Sequence, residues 1–214
     1  GFICADGWLI ERDKAIGLQL SVKDKKHVKR FADLFKINAK DYSCKSKWSL
    51  SGYCRSTRAI LYSKVAYNDL ISKGLGPRKT FMDITRVFGY IPEEAMHHFI
   101  RGWFDGDGSI HGANYFICSI VGMSNNLEFI NEIISCSCKV SRSKMHKHKG
   151  VHEVCWGGSY QLVLIRRWLY RNATIFLKRK KDRFDSVRIK HRGTSKYLGV
   201  SWSKNTKKWV ALIG

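Results

Sequence analysis

FIRGWFDGDGS, residues 99–109, is the stretch that decides the fold, because a shortened form of it, GFICADG, stands at residues 1–7. Gly1 and Gly102 begin the matching parts, 101 residues apart. The residues after each copy are also similar: a strand-like alternation and then a helical stripe of apolar residues. The strand positions are Ile16, Leu18 and Leu20 in the first half and Ile117, Ser119 and Val121 in the second. A repeat of this length predicts two copies of one structural unit.

Each copy predicts the same order of elements: helix, strand pair, helix, strand pair, helix. The apolar stripes lie at residues 28–35 and 127–134, and the closing helices are predicted at 64–73 and 160–170. Asn125 with Glu128 three residues later predicts a capping box for the second stripe. The predicted fold class is α+β, with two αββαββα units related by a pseudo-twofold axis. The predicted boundaries are residues 1–90, 91–190 and a C-terminal extension, 191–214.

The repeated motif places acids where they are electrostatically unfavourable. Pro92, at the first helical position, begins a predicted helix that runs until Gly106 and Gly108 stop it. Asp107 then lies at the negative end of the helix dipole, which costs up to about 1 kcal/mol. Asp6 occupies the same place in the first copy. Two such acids indicate a compensating cation, and Mg²⁺ is commonly held by one or two carboxylates.

The glycines at the start of each motif allow two helix backbones to approach closely. We therefore expect the motif helices to pack side by side, with Asp6 and Asp107 facing each other. The alternative is that each Asp-Gly pair simply forms a turn. A calcium loop starting at Asp105 is excluded because Ile110 and Phe116 stand where Gly and Glu are required.

The net charge of +22, from 39 basic and 17 acidic residues, indicates a polyanionic partner. Residues 141–214 alone hold 19 basic and 3 acidic side chains, with the densest cluster at 178–181. A hydrophobic content of 44% excludes a wholly disordered cationic chain. Basic residues at every second position, which a strand places on one face, occur as Lys45 and Lys47 and as Arg142, Lys144, His146 and His148.

Seven scattered cysteines without C-x-x-C spacing favour neither a disulfide framework nor structural zinc. No apolar run approaches the ~18 residues of a membrane span, and no signal peptide is evident. We expect an intracellular protein, in a bacterial or phage-infected cytoplasm or an organelle, and not a secreted one. The start at Gly1 without Met predicts a fragment of a longer reading frame.

At these residues the sequence resembles the LAGLIDADG homing endonucleases, in the form that joins two motif-bearing halves in one chain. Cys4 departs from the family motif, but Asp6 and Asp107 occupy its catalytic acid position. The resemblance implies a saddle of two antiparallel sheets on double-stranded DNA, with the motif helices at the interface. It implies a monomer, encoded in an intron or intein, that hydrolyses both strands with Mg²⁺ or Mn²⁺ held by Asp6, Asp107, Gly7 and Gly108.

Two alternatives to an endonuclease remain: a non-cleaving binder of the same fold, such as an RNA-splicing maturase or transcriptional regulator, and a structural nucleic-acid packaging protein. Residues 195–202 and 207–211 resemble the opening hairpin of the ethylene-response-factor type of DNA-binding domain. An ordinary hairpin in which Trp202 packs on Trp209 is the alternative. Arg58, Lys64 and Lys144 are candidate basic residues beside the metal. The predicted DNA contacts are Lys45, Lys47, Arg58, Arg142, Lys144, His146, Lys180 and Trp202.

Overall fold

A computed structural model describes residues 1–45, 52–113, 115–148, 150–188 and 200–211. Its α-helices are α1 (Phe2–Ala5), α2 (Lys25–Leu34), α3 (Lys64–Ser72), α4 (Thr85–Phe88), α5 (Glu93–Asp107), α6 (Ser124–Cys138), α7 (Ser159–Leu169) and α8 (Lys178–Asp185). Its strands are β1 (Gly7–Ile10), β2 (Ala15–Ser21), β3 (Ala39–Lys45), β4 (Tyr53–Tyr62), β5 (Gly108–His111), β6 (Ile117–Gly122), β7 (Met145–His148), β8 (Val151–Gly157), β9 (Val200–Ser203) and β10 (Lys208–Ala211). Short 3-10 helices span Val22–Asp24 and Lys79–Phe81.

The two halves have the same sheet topology. The first sheet has the strand order β1-β2-β4-β3 and the second has β5-β6-β8-β7, and all neighbouring strands are antiparallel. A helix precedes each sheet, a second helix joins its two strand pairs, and a third comes after it. The α+β class and the order of elements predicted from the repeat are therefore confirmed.

Alternation along the strands gives each sheet one covered face. In the first sheet Leu18, Leu20 and Ala59 are buried with Val28 of α2. In the second, Ile120, Val154 and Trp156 are buried in a larger cluster that also contains residues of α5, α6 and α7. Because successive side chains point to opposite sides of a strand, the residues between these lie on the other face, which we call the open face of each sheet.

The hydrophobic cores cross the boundary between the halves. Cys4, Leu9 and Tyr67 of the first half belong to the same buried cluster as Phe99 and Trp103 of the second. Burial of this apolar surface contributes roughly 25 cal/mol per Å² to stability. Each half is therefore stabilised by the other.

Two predicted helix starts were wrong in detail. Helix α6 begins at Ser124, one residue before the predicted cap, and Met123 occupies the cap position without a side-chain hydrogen bond. The Asn125 amide instead donates to Asp83 Oδ2 at 2.9 Å, so a partner distant in sequence takes the place of the capping box. Pro92 is the residue before α5 rather than its first residue.

Helices α1 and α5 pack backbone against backbone. A Cβ atom added at Gly102 would lie 2.6 Å from Phe2 N, and one added at Gly1 would lie 1.7 Å from Phe99 O. A Cβ atom added at Gly106 would lie 2.3 Å from the Cβ atom of Ala5. The predicted contact between the motif helices is present, and it requires glycine because no side chain fits between the two helices.

The hairpin β9–β10 pairs Trp202 directly with Trp209, whose rings meet edge to face with centroids 5.3 Å apart. Both indoles remain about half exposed. Of the predicted extension 191–214, residues 191–199 and 212–214 lie outside the described part of the chain. Within the described residues, no helix is sufficiently long and apolar to cross a membrane.

Candidate functional site

Two acids from corresponding positions of the repeat meet where α1 and α5 end. Asp6 is the C-terminal cap of α1, and Asp107 is the last residue of α5. The Asp6 carboxyl carbon lies 3.4 Å from the Cβ position of Gly106, so it sits against the last turn of α5. The strands β1 and β5 begin directly afterwards, at Gly7 and Gly108. The close helix contact thus brings together two carboxylates that are 101 residues apart in sequence.

Both carboxylates are partly buried, and burial raises the pKa of each. Burial raises the pKa of Asp107 to about 6, with a smaller contribution in the same direction from the nearby negative charge of Asp6. Burial also raises the pKa of Asp6, although Lys180 and Lys79 act in the opposite direction. Nearby positive charge therefore does not fully offset the cost of holding two ionised carboxylates at this place.

Two lysines, also 101 residues apart in the repeat, lie near the acids. Lys79, in a 3-10 helix, donates from Nζ to the carbonyl of Ala5 at the end of α1. Lys180, in α8, donates from Nζ to the carbonyls of Phe104 and Gly106, each at 2.8 Å. Each ammonium thus neutralises the negative end of one motif helix. Burial lowers the pKa of Lys180 to about 8 and also lowers the pKa of Lys79.

Side chains on one face of α5 bind the segment between α7 and α8, the helix that carries Lys180. His97, Arg101 and Asp105 are spaced four residues apart, so they line up along the helix. His97 Nε2 lies 3.1 Å from the carbonyl of Arg171, and Arg101 donates to the carbonyls of Leu169 and Ile175.

Asp105 completes this row by accepting the backbone N–H of Leu177 at 3.1 Å, directly before α8. It is 1% exposed, and burial raises its pKa to about 7. The first acid of the DGDG sequence therefore has a structural role, and only the second, Asp107, belongs to the acid pair. Cys4 stands at the equivalent place in the first half and is buried too. Its departure from the family motif falls on a position that does not enter the acid pair.

The residues at this site fit a hard divalent cation. Oxygen ligands from one or two carboxylates, completed by water and substrate phosphates, are what Mg²⁺ ordinarily uses. Two adjacent carboxylates whose pKa values are raised would gain from a further positive charge. Among the described residues no cluster of three or more His, Cys, Asp and Glu side chains provides a closed metal cage. The two carboxylates therefore fit an open ion site that water and substrate phosphates would complete.

The open face of the first sheet carries a cationic and aromatic group around Arg58. Arg58 Nε donates to Gln19 Oε1 at 2.7 Å, and Gln19 Nε2 donates to Ser56 Oγ at 2.7 Å. The guanidinium also lies 4.6 Å from the centre of the Tyr42 ring and 5.8 Å from that of Trp8. These contacts hold Arg58, a predicted DNA contact, in a fixed position on the open face. Arg58 is on β4, one of the two inner strands of the sheet, opposite Gln19 of β2.

The other predicted DNA contacts lie in different places. Lys45 is on the face of β3 that carries Asp41 and Ser43, opposite the open face, and Lys47 lies outside the described residues. Arg142 forms ion pairs with Glu128 and Glu132 of α6. Lys144 is exposed before β7, His146 is on the open face of the second sheet opposite Glu153, and Trp202 is in the hairpin.

Spacing alone did not identify which lysine of the first half lies near the acids. Lys64, a candidate for the metal site, is exposed at the start of α3. Lys79, which lies near the acids, was missed, and Lys180 was predicted as a DNA contact and not as a neighbour of the acids. Applying the repeat offset to every lysine would have paired Lys79 with Lys180, because each stands 73 residues after its motif acid.

Removal of the Lys180 ammonium is expected to shift the titration of the acids. In Lys180→Met the carbonyls of α5 lose a charged donor and Asp107 loses a neighbouring positive charge. We expect the pKa of Asp107 to rise above about 6 and stability to fall by roughly 1–3 kcal/mol. Carboxyl ¹³C NMR titration measures the first and urea unfolding the second. Lys178→Met, which removes only an exposed ion pair with Asp182 on the same helix, is the control and should leave the pKa unchanged and stability within about 0.5 kcal/mol.

Two αββαββα units joined through a pair of closely packed helices define a LAGLIDADG-like fold. Three solved structures share it: the homing endonuclease I-WcaI bound to its DNA recognition sequence, the LAGLIDADG meganuclease I-AabMI bound to uncleaved DNA, and full-length DUF199/WhiA from Thermatoga maritima. Their TM-scores are 0.58, 0.53 and 0.55, with sequence identities of 14%, 11% and 13%.

The matches cover 84%, 87% and 87% of this chain, and 81%, 87% and 56% of the respective structures. The chain thus spans just over half the length of the WhiA protein. No protein-family model and no curated protein sequence matches the chain. At these identities the likeness establishes the fold, and the fold is common to nucleases and to WhiA.

Proposed function

We propose that this protein is a metal-dependent, site-specific endonuclease that cleaves both strands of duplex DNA, acting as a monomer. The observation that carries the proposal is the pair of partly buried acids, Asp6 and Asp107, at the contact between the two motif helices. A turn alone has no need to place one acid from each repeat beside the other, where burial raises the pKa of both. Two of the structural neighbours are endonucleases bound to DNA, which supports the same activity here.

Asp6 and Asp107 would hold Mg²⁺ or Mn²⁺, with Gly7 and Gly108 supplying backbone at the adjacent positions. When bound, such an ion polarises a phosphoryl oxygen and generates a nucleophilic water. Because one carboxylate comes from each half, the metal site would lie between the halves, where both strands of a bound duplex could reach it.

The two lysines near the acids would stabilise negative charge during the reaction. Lys79 and Lys180 are anchored to helix carbonyls, so their ammonium groups are held in place before substrate arrives. Fixed positive charges beside a phosphate stabilise the negative charge that develops during hydrolysis. With a pKa of about 8, Lys180 is mostly protonated at neutral pH, which suits a charge-stabilising role.

The open faces of the two sheets would contact the DNA. Arg58 is pre-positioned by Gln19 and by the Tyr42 ring, and arginine paired with a base edge is the commonest specific contact in the major groove. The second sheet presents His146 and Glu153 at the corresponding surface, so the two halves have different chemistry. We infer that the two halves of the target site differ in sequence. The hairpin β9–β10, with exposed Trp202 beside Lys204 and Lys208, would extend this contact.

Metal-dependent cleavage should increase with pH through the titration of Asp107. Because the carboxylate must be ionised to bind a cation, each pH unit below about 6 should weaken Mg²⁺ affinity about tenfold. Cleavage rates at limiting Mg²⁺, measured from pH 5 to pH 8, test this. Saturating Mg²⁺ should move the midpoint of the pH–rate curve to lower pH, because the ion competes with the proton for the carboxylate. A midpoint that does not respond to Mg²⁺ concentration would contradict metal binding at Asp107.

The decisive experiment is incubation with a randomised duplex library and Mg²⁺, followed by sequencing of the new ends. A site-specific endonuclease yields ends at one family of sequences, and chelation of the metal eliminates them. The Asp6→Asn Asp107→Asn double variant should select the same sequences by binding without producing ends. Ends at random positions would indicate a contaminating or non-specific nuclease.

One observation favours a second candidate, a DNA-binding regulator that does not cleave. Lys79 and Lys180 already supply positive charge at the ends of both motif helices, so they partly balance the negative charge of the acids even without a metal ion. WhiA, which has the same fold, is among the structural neighbours. Enrichment of one sequence by the wild-type protein, with no ends at any metal concentration, would establish this alternative.

A further inference from the structure

Two cysteines stand directly opposite each other on the open face of the first sheet. Cys44 of β3 pairs in register with Cys54 of β4. Both are exposed and neither is in a disulfide. Their strand parity is that of Tyr42 and Arg58, so they share the face on which Arg58 lies.

The pairing geometry suits a disulfide. Directly opposite residues of antiparallel strands have Cα atoms about 4.5 or 5.5 Å apart, and disulfides form at Cα separations of about 4.4–6.8 Å. The Cys44 thiol also donates to the carbonyl of Cys54, with Sγ 3.7 Å from the oxygen. The sulfur of one residue is therefore already directed across the ladder toward the other.

The local sheet structure permits the remaining movement. Strand β3 is at the edge of the sheet, and the first residues of β4, Tyr53 to Arg55, pair with β3 alone because β2 ends opposite Ser56. The cysteines thus lie in a two-stranded ribbon beyond the third strand. Two-stranded ribbons twist more than wide sheets, so this segment adjusts without disturbing the core.

Other uses of the pair are less favoured by its surroundings. Metal binding would require further ligands, and the described residues contain no cluster of three or more His, Cys, Asp and Glu. The remaining cysteines are not equivalent: Cys4, Cys118 and Cys138 are buried, and Cys155 is partly covered. Cys136 is exposed but lies on α6, so it provides a control for simple exposure.

We propose that Cys44 and Cys54 form a reversible dithiol–disulfide site, oxidised by a low-molecular-weight disulfide such as oxidised glutathione. One cysteine thiolate attacks a glutathione sulfur, which forms a mixed disulfide and releases one reduced glutathione. The second thiolate then attacks the cysteine sulfur of that mixed disulfide, which closes the Cys44–Cys54 bond and releases a second reduced glutathione. Two cysteine thiols lose two electrons and two protons, and one glutathione disulfide is reduced.

The test is equilibration of the full chain with mixtures of reduced and oxidised glutathione, followed by alkylation and intact-mass and peptide analysis. In wild type we expect two thiols to be lost together without added glutathione mass, with Cys44 and Cys54 linked in one peptide pair. Cys136→Ser should behave in the same way. In Cys44→Ser, Cys54 has no resolving thiol and should retain glutathione as a mixed disulfide, and Cys54→Ser should show the converse.

Three results would overturn the proposal. The first is wild-type protein that carries glutathione on Cys44 and Cys54 without an internal bond. The second is a crosslink that depends on protein concentration, since this would join two chains. The third is an internal bond that persists in Cys44→Ser, since it would belong to other cysteines. Both substituted positions are exposed, so the variants are expected to fold, and circular dichroism verifies it.

Discussion

Asp107→Asn is expected to abolish DNA cleavage while leaving DNA binding intact and making the protein more stable at neutral pH. The proposed ion loses one of its two carboxylates, and metal activation is worth several kcal/mol, so cleavage should fall at least about a hundredfold. Binding should persist because the substitution leaves the proposed contacts of the sheet faces and the overall positive charge in place. Single-turnover cleavage and fluorescence-based binding measure the two properties separately.

The gain in stability results from the direction of the pKa shift. The pKa of Asp107 is about 6 in the folded protein and near 3.8 when unfolded, so the folded state binds the proton more tightly. The contribution of this carboxyl to stability therefore falls as pH rises from about 4 to about 6 and remains lost above that. Because the site is partly open to water, we expect Asp107→Asn to gain about 1–2 kcal/mol at pH 7 and nothing at pH 3.

Glu94→Gln is the matched control, because it removes the same charge from the exposed first turn of the same helix. It should retain cleavage, and it should lose a few tenths of a kcal/mol because acids are favourable at a helix N-terminus. Cleavage by Asp107→Asn at the wild-type rate would exclude the proposed role of this acid. Lower stability of that variant at pH 7 would show that the neighbouring lysines stabilise the ionised carboxylate by more than its burial costs.

Gly102→Ala is expected to lower stability by forcing the two motif helices apart. A Cβ at this position would lie 2.6 Å from Phe2 N and 3.2 Å from the Gly1 backbone, and a backbone neighbour cannot move aside as a side chain can. Alanine favours the helix by about 1 kcal/mol, but the separation of α1 from α5 should outweigh this, with a net loss of roughly 1–3 kcal/mol. Chemical unfolding measures the change.

The same substitution should reduce cleavage by more than the loss of folded protein explains, because Asp6 and Asp107 are held together by this helix contact. Gly89→Ala is the control: its Cβ would be 3.5 Å from the nearest atom, the backbone is helical, and the residue is exposed at the end of α4. Unchanged stability and cleavage in Gly102→Ala would mean that the helices are not in contact in solution.

The repeat made much of the fold predictable. The motif, the alternating strands and the apolar stripes occur in the same order twice, and the structure shows the same order of elements and two sheets of identical topology. The helix contact was predictable too, because glycine is the residue that permits close backbone approach. The capping box at Asn125 failed because that side chain bonds to Asp83, a contact across 42 residues that local patterns do not contain.

Prediction of the site was less complete. Asp6 and Asp107 lie together, as their matching positions required, but the strand positions of the basic residues were only partly informative. Parity places Lys45 and Lys47 on one face without stating which face the helices cover, and the structure places Lys45 on the face opposite Arg58. Arg142 reaches α6 instead of a sheet face, because two glutamates there attract it.

By itself, the sequence determined that the protein contains two copies of one α+β unit, that each copy ends its first helix on an acid, and that the chain is strongly basic. Periodicity and repetition are local properties of a chain, so they can be recognised without a structure. Only the tertiary structure decided that Lys79 and Lys180 neutralise the helix ends, that Asp105 orders the start of α8, and that Cys44 lies opposite Cys54. These contacts depend on the relative placement of separate elements, which the packing of the core decides and which no local pattern encodes.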